Sequence, residues 1–318
     1  MDTFLTQLRS RATEGYLRKI LLPETGDERI REAARVLKDE KLAEPVFVEV
    51  DEKRVPELEK LLLEIRSSKV GTKDELSPEK ARELARDPLY YGLYLLRLGE
   101  ADGLVAGAVR TTAEVLRAGL WLIGKSEGIQ TVSSSMYMVV PAFRGAGKEE
   151  ILTFADCAVV PQPTAEQLAD IAIASADARL ALVHDEPCVA LLSYSTHGSG
   201  GGLSVDTVRK AAAILRARRP ELLLDGEIQA DAALVPSIAQ RKTPESPIGG
   251  TANILIFPTL DAANIAYKLV ANLIPGSLAL GPILQGLNKP MSDLSRGASA
   301  KDIVHIATII ASLAQPRL

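Results

Sequence analysis

The sequence predicts an α/β protein of two doubly wound lobes. Three observations lead there. Strand-like and helix-like segments alternate along most of the chain. At 318 residues the chain is longer than one hydrophobic core usually supports, so two lobes are expected. The texture changes near Gln130, where strand-rich sequence begins.

Lys19-Ile20-Leu21-Leu22-Pro23 reads as a strand, Glu28 to Lys38 as a helix with Ile30, Ala33, Ala34 and Leu37 at helical spacing, and Pro45 to Val50 as the next strand. Together they form the βαβ signature of a parallel sheet. Ser77-Pro78-Glu79 starts a helix with a Ser cap and Pro in the first turn, running to about Arg86, and another spans Leu89 to Leu98. Gly103 to Ala108 is a buried strand ending in a small-residue loop, followed by a helix over Ala113 to Leu122. Val132 to Val140 and Leu152 to Val159 pair as strands across a Gly-rich connection, Pro141 to Lys148. Thr164-Ala165-Glu166-Gln167 is a capping box opening an Ala-rich helix. Val189 to Tyr194 is a strand, Ser204 caps a helix over Val205 to Arg216, Ile254 to Phe257 is a strand, and Asp261 caps a helix over Ala262 to Leu273. The last helix runs from Ala300 to Ala314. One lobe is therefore expected over 1–128 with 282–318, the other over 129–281.

Composition excludes several classes of function. The net charge is -4 and the one dense basic run, Arg216-Ala217-Arg218-Arg219, sits where a helix ends and complements its dipole, so no nucleic-acid partner is expected. Cys157 and Cys188 lie in apolar runs outside any ligand spacing, which excludes a disulfide framework and fits a reducing compartment. No apolar run approaches the ~20 residues of a membrane span. The first residues lack the apolar segment of a signal peptide. A soluble, cytoplasmic protein without a membrane partner is the expectation.

Ligands of open α/β sheets bind beyond the carboxyl ends of the strands. Four loops there are rich in small and polar residues: Gly107 to Thr112, Ser193 to Gly200 (with Ser195, Thr196, His197 and Gly198), Lys242 to Gly250 (with Ser246), and Asp293 to Gly297. Any one of them is explained by turn-making. Four in one α/β chain, each offering amides and hydroxyls near a helix start, predict an anionic ligand.

The stretch from Asp293 to Asp302 carries most. Ser299 reads as a helix cap with Asp302 three residues on. Two readings stand open: an acidic capping box, or an anion fork at Arg296 with Asp302 as a nearby carboxylate. A carboxyl beside an Arg and a helix N-terminus should titrate low, which suits positioning over strong proton abstraction. His197 has no nucleophile signature beside it and should make a local hydrogen bond, while His184 and His305 should lie on helix surfaces. Three scattered His and no clustered Asp predict no catalytic metal. The Gly198 to Gly202 run is not GxGxxG, and no acidic residue follows at the distance a dinucleotide fingerprint requires.

Read together, several segments resemble the phosphate acetyltransferase family across nearly the whole chain. They are Leu22 to Thr25, Ala101 to Ala108, Thr111 to Arg117, Phe154-Ala155-Asp156, Leu192 to Thr196, Asp225 to Ala233, Gly281 to Leu287, and Asp293-Leu294-Ser295-Arg296-Gly297. The resemblance implies two α/β lobes with a cleft between them, usually a homodimer, and the reaction acetyl phosphate + CoA ⇌ acetyl-CoA + phosphate. It places functional roles on Ser295, Arg296 and Asp302. It ties Arg117, and Arg66 within Glu64 to Gly71, to substrate binding.

On that basis transfer is direct, in a ternary complex, with coenzyme A as substrate and no separate cofactor. Asp302 would accept or orient the thiol proton, Arg296 would hold the phosphoryl oxygens, and Ser295 would donate to developing charge. The loops holding Ser195, Thr196, Gly198 and Ser246 would complete a phosphate cradle. Rival readings are a butyryl- or propionyl-transferring relative, a decarboxylating dehydrogenase (which needs an Asp cluster that is not apparent), and an inactive relative that binds CoA or phosphate.

Overall fold

A computed structural model describes residues 3–67, 75–145, 147 and 149–314. The chain divides into two compact units, Gln7–Ser126 with Leu287–Leu318, and Met1–Thr6 with Glu127–Gly286. The chain opens on α1 (Phe4–Ala12), then β1 (Lys19–Leu22), α2 (Glu28–Asp39), β2 (Glu44–Phe47), α3 (Val55–Arg66), α4 (Pro78–Ala85), α5 (Pro88–Leu98), β3 (Gly103–Ala106) and α6 (Thr112–Leu122). The middle unit holds β4 (Ser133–Val140), β5 (Glu150–Ala155), α7 (Ala165–Leu182), β6 (Cys188–Leu192), α8 (Leu203–Arg218), β7 (Leu223–Ile228), α9 (Ala230–Leu234), α10 (Pro236–Lys242), β8 (Ile254–Ile256), α11 (Leu260–Leu273) and β9 (Leu278–Gln285). The return adds β10 (Met291–Asp293) and α12 (Ala300–Leu313).

In the unit of Gln7–Ser126 and Leu287–Leu318, the strands run β2-β1-β3-β10, all parallel. Adjacent residues of a strand face opposite sides, and β3 shows what covers each side. Leu104 packs on α5 at Gly92, whereas Gly103 lies under Ile310 of α12, where an added Cβ would come within 2.3 Å of the Ile310 side chain. The sheet is therefore covered on both faces, as a parallel sheet must be.

The middle unit has the order β9-β4-β5-β8-β6-β7. Its strands β5, β8, β6 and β7 are parallel, and β4 runs antiparallel to both β5 and β9. The period of two is visible in the cores. Val189, Leu191, Ile254 and Ile256 pack with Leu168 and Ala172 of α7 and Val208 and Leu215 of α8. Ala190, Leu192, Leu255, Met136 and Phe154 face the other way, with Ala232 and Ala233 of α9 and Ala263 of α11.

Several local expectations are corrected. Gly202, with no side-chain cap, opens α8 in place of Ser204, and Thr259 caps α11 in place of Asp261, its hydroxyl accepting from the Ala262 amide at 3.3 Å. His305 is buried, 3% exposed, and His184 follows α7 in a left-handed conformation (φ 61°). The sequence reading has no element over α3 or β7. The acidic residues of β7 look like a loop in sequence, but Asp225 and Glu227 are each 2% exposed and are satisfied by partners described below. The basic run at the end of α8 forms ion pairs: Arg218 with Asp170 at 2.8 Å and Arg219 with Asp177 at 2.9 Å. Of the expected Gly-rich connection, Ala146 and Lys148 lie outside the described residues, as do Ser68 to Gly71 after Arg66.

Candidate functional site

β10 ends at Asp293, and the chain turns through Ser295-Arg296-Gly297 into α12. The turn is closed by the Ala298 amide donating to the Ser295 carbonyl at 2.9 Å and the Gly297 amide to Ser295 Oγ at 3.3 Å. Ser299 and Asp302 form a complete capping box: Asp302 Oδ2 accepts from the Ser299 amide at 2.9 Å and hydroxyl at 2.7 Å, while the Asp302 amide donates to Ser299 Oγ at 3.2 Å. The capping geometry read from the sequence is thus present. It occupies one oxygen of Asp302; Oδ1 has no hydrogen-bond partner among the described residues. Arg296 is exposed. Its guanidinium, and the amides of Ser295 and Arg296, make no hydrogen bond or ion pair among the described residues. At the N-terminal end of α12 the turn therefore presents a guanidinium, a hydroxyl proton and two amides that no group among the described residues accepts, a donor set suited to an anion.

The turn is held from behind. Arg29 follows Asp27, the cap of α2, whose side chain accepts from the Arg29 amide. The Arg29 guanidinium donates to both Asp27 carboxylate oxygens, at 3.0 and 2.6 Å, and to three carbonyls: Arg296 and Ala298 at 2.8 Å each and Ala108 at 2.9 Å. The hydrogen bond from Arg29 holds the Asp27 carboxyl below its ordinary range.

Glu24 is buried and accepts from the amides of Ala108 at 2.7 Å and of Val109 and Arg110 at 3.1 Å each. Thr111 forms a capping box with Glu114. This corrects the expectation for the Gly107 to Thr112 loop, since its amides from 108 to 111 are already taken by carboxylates. Gly107 is required there: its φ is 104°, and a Cβ would stand 2.4 Å from Asp293 Oδ1 and 2.6 Å from the Leu294 amide.

The two substrate-binding arginines implied by the resemblance, far apart in sequence, meet one aromatic pair. The Arg66 guanidinium lies 4.6 Å from the centroid of Trp121, Trp121 packs edge-on against Tyr90 at 6.1 Å, and Arg117 engages the Tyr90 hydroxyl. Beside them Arg110 pairs with Asp87 at 2.9 Å. Arg66 and Arg117 share the unit of Ser295, Arg296 and Asp302.

Ser195, Thr196, Gly198 and Ser246 belong to the middle unit. There the loop after β6 is satisfied internally. Ser195 Oγ donates to Glu227 at 2.6 Å, the Gly198 amide reaches the same carboxylate at 2.9 Å, and Arg209 forms an ion pair with it. The Thr196 amide donates to Ser199 Oγ at 2.9 Å, and its hydroxyl accepts from the Gln229 amide at 3.0 Å. Ser246 Oγ donates to Asp225 at 2.5 Å, and His197 Nε2 lies 3.0 Å from the same carboxylate, a local bond of the kind expected for this His. Of the donors expected to face a phosphate, those of Ser195, Gly198 and Ser246 therefore face the buried acids Glu227 and Asp225, and those of Thr196 face Ser199 and Gln229.

Residues 67–311 match the family model described as phosphate acetyl/butaryl transferase. The chain is 41% identical to a phosphate acetyltransferase of Acetivibrio thermocellus over 98% of each chain, and 42% identical to one of Treponema pallidum over 95% of this chain and 96% of that one. It superposes on the crystal structure of a phosphotransacetylase from Streptococcus pyogenes with a TM-score of 0.87 at 37% identity, covering 98% of both chains. The chain belongs to the phosphate acetyl/butaryl transferase family.

For this family member the sequence brings out Glu24 and Asp293 without a role, and Arg29 goes unmarked. A carboxylate used as a backbone clamp and an arginine used on carbonyls carry no local sequence signature. Asp293 is 2% exposed, its Oδ1 has no hydrogen-bond partner, and burial together with the Glu24 charge pushes its carboxyl up to about 6 against a Thr112 hydrogen bond that lowers it. A surface depression of about 720 Å3 between α3 and α4, bordered by Val55, Pro56 and Leu63, includes none of the candidate site residues. Among the described residues no group of three or more His, Cys, Asp or Glu is placed to hold a metal, and no helix is long and apolar enough to cross a membrane.

Proposed function

We propose that this chain is a phosphate acetyltransferase, catalysing acetyl phosphate + CoA ⇌ acetyl-CoA + phosphate. The observation that carries the reading is the Ser295–Arg296 turn, whose guanidinium, hydroxyl proton and two amides are donated to no group among the described residues. It stands in a chain about 40% identical to phosphate acetyltransferases over nearly its full length. Arg296 holds the phosphoryl oxygens of acetyl phosphate in a bidentate fork. Ser295 and the turn amides donate to charge that develops on the carbonyl oxygen or the leaving phosphate. A free thiol is only a few per cent thiolate at neutral pH, so a carboxylate helps. Asp302, with Oδ2 fixed by its capping box, offers Oδ1 to the CoA thiol. Both substrates bind together and the acetyl group passes directly, with positioning supplying much of the acceleration. CoA serves as substrate, with no separate cofactor.

Arg66 and Arg117, joined through the Trp121–Tyr90 pair, take the phosphates of CoA. Ser195, Thr196, Gly198 and Ser246 remain proposed ligand contacts with less support, because their donors are committed within the unit: those of Ser195, Gly198 and Ser246 to Glu227 and Asp225, those of Thr196 to Ser199 and Gln229. A cytoplasmic homodimer completes the reading. Ile265, Leu269 and Leu273 recur every four residues along α11 and are 58%, 52% and 71% exposed, an apolar stripe suited to a second copy. Light scattering of the wild type and of Leu269→Glu tests the dimer.

The activity test follows thioester absorbance with CoA and acetyl phosphate, for wild type and Arg296→Ala. Turnover that depends on Arg296 supports the reading, and butyryl and propionyl phosphates then settle the acyl group. A folded wild type inert towards all three overturns it.

A further inference from the structure

Arg296 carries the anion-binding group of the proposed reaction, yet its guanidinium makes no hydrogen bond or ion pair among the described residues, so its placement depends on its backbone. That backbone closes on itself through Ser295, and Arg29 ties it to α2 and to the loop after β3. Guanidinium groups carry five N–H donors in a rigid plane, and Arg29 has all five in use: Nε and one N–H on Asp27, one on the Ala108 carbonyl, and two on the Arg296 and Ala298 carbonyls. The two carbonyls on Nη1 flank the bend of the catalytic turn. The Ala108 carbonyl belongs to the loop that Glu24 pins through three amides. The Asp27 carboxylate caps α2, so the guanidinium is itself anchored to a helix terminus. Sequence positions 27–29, 108 and 296–298 are thereby locked into one rigid piece.

We infer that Arg29 is the positioning residue of the acyl-transfer site: it sets the backbone from which Arg296 reaches its anion, without touching substrate. The inference rests on the acetyl-transfer reading above. Lysine cannot replace it, because an ammonium has three donors and no planar fork. A catalytic group displaced by about 1 Å costs on the order of 100-fold in rate.

The test uses the full chain with Arg29→Ala and Arg29→Lys, the latter retaining a cation beside Asp27 should the alanine variant fold poorly. In Arg29→Ala, kcat falls about 100-fold, while KM for CoA stays within about threefold because Arg66 and Arg117 are untouched. Millimolar guanidinium, too dilute to denature, restores at least part of kcat in Arg29→Ala and none in Arg296→Ala. A second readout needs no turnover. Trypsin cleavage between Arg296 and Gly297, read by mass spectrometry, becomes about tenfold or more faster in both Arg29 variants, because local opening of the turn is easier.

A folded Arg29→Ala with wild-type kcat and wild-type cleavage overturns the positioning role. So does a guanidinium-insensitive loss with cleavage at Arg296 unchanged. A wild type without acyl transfer overturns the reading of the reaction, and unchanged cleavage at Arg296 then removes the positioning role as well.

Discussion

The Arg66 guanidinium lies over the face of Trp121, 4.6 Å from its centroid, and Trp121 meets Tyr90, which engages Arg117. An aromatic pair thus spaces two cations that would otherwise repel each other. A cation–π contact contributes about 0.5–2 kcal/mol. Trp121→Leu should therefore raise KM for CoA about three- to tenfold while leaving kcat within about twofold, the signature of uniform binding lost. Initial rates at varied CoA and saturating acetyl phosphate decide it. An unchanged KM would place the Arg66–Trp121 pair outside the CoA site.

The exposed Arg296 guanidinium makes no hydrogen bond or ion pair among the described residues, so its removal should cost activity and little stability. Arg296→Ala should lower kcat/KM about 100- to 1000-fold with a Tm within a degree or two of wild type. Surface substitutions away from packed features usually stay within about 0.5 kcal/mol. A Tm loss of the size expected for a core change would show that the exposed arginine has a structural role instead.

Much of the fold is legible because the chain follows simple rules. Ile30, Ala33, Ala34 and Leu37 mark α2 by spacing and are all buried. Thr164 and Gln167 announce α7 by a capping box that forms. What stays hidden has a common cause. The strand β7 is masked by Asp225 and Glu227, whose burial depends on Ser246, His197, Ser195 and Arg209 from distant sequence. His305 reads as a surface residue because its burial is a matter of packing. Ser295, Arg296 and Asp302 are legible as a set, whereas Glu24 and Arg29 act on backbone groups that no sequence pattern displays.

The capping role of Asp302 and the proton-handling role proposed for it are separable. Its Oδ2 serves the capping box, which an asparagine oxygen can also serve, whereas only a carboxylate can take or orient a thiol proton. Asp302→Asn should therefore lower kcat about 100-fold or more with stability nearly unchanged, while Asp302→Ala should lose the same activity and an additional stability of about 1 kcal/mol. Thermal melts beside initial rates separate the two. An asparagine variant with near wild-type kcat would leave Asp302 as a capping residue alone.

Asp293 makes stability depend on pH in a direction opposite to the usual carboxylate. Burial and the Glu24 charge raise its folded pKa to about 6, above the ordinary value of 3.8. Between those values the folded state keeps a proton that the unfolded state has released, so stability falls as pH rises through that window and the contribution is lost by about pH 7. A gap of about two units corresponds to roughly 3 kcal/mol. His305 acts in the other sense: burial lowers its pKa from 6.5, so below that value the unfolded state takes the proton and stability falls as pH drops. A wild-type pH profile mixes the two, but the difference between Asp293→Asn and wild type cancels His305. That difference should be several degrees more favourable to the variant at pH 8 than at pH 5, since roughly 1 kcal/mol shifts Tm by about 2–4 °C in a domain of this size. Melting curves at the two pH values measure it, and a difference that does not change with pH would mean that Asp293 is already ionised in the folded chain at pH 5.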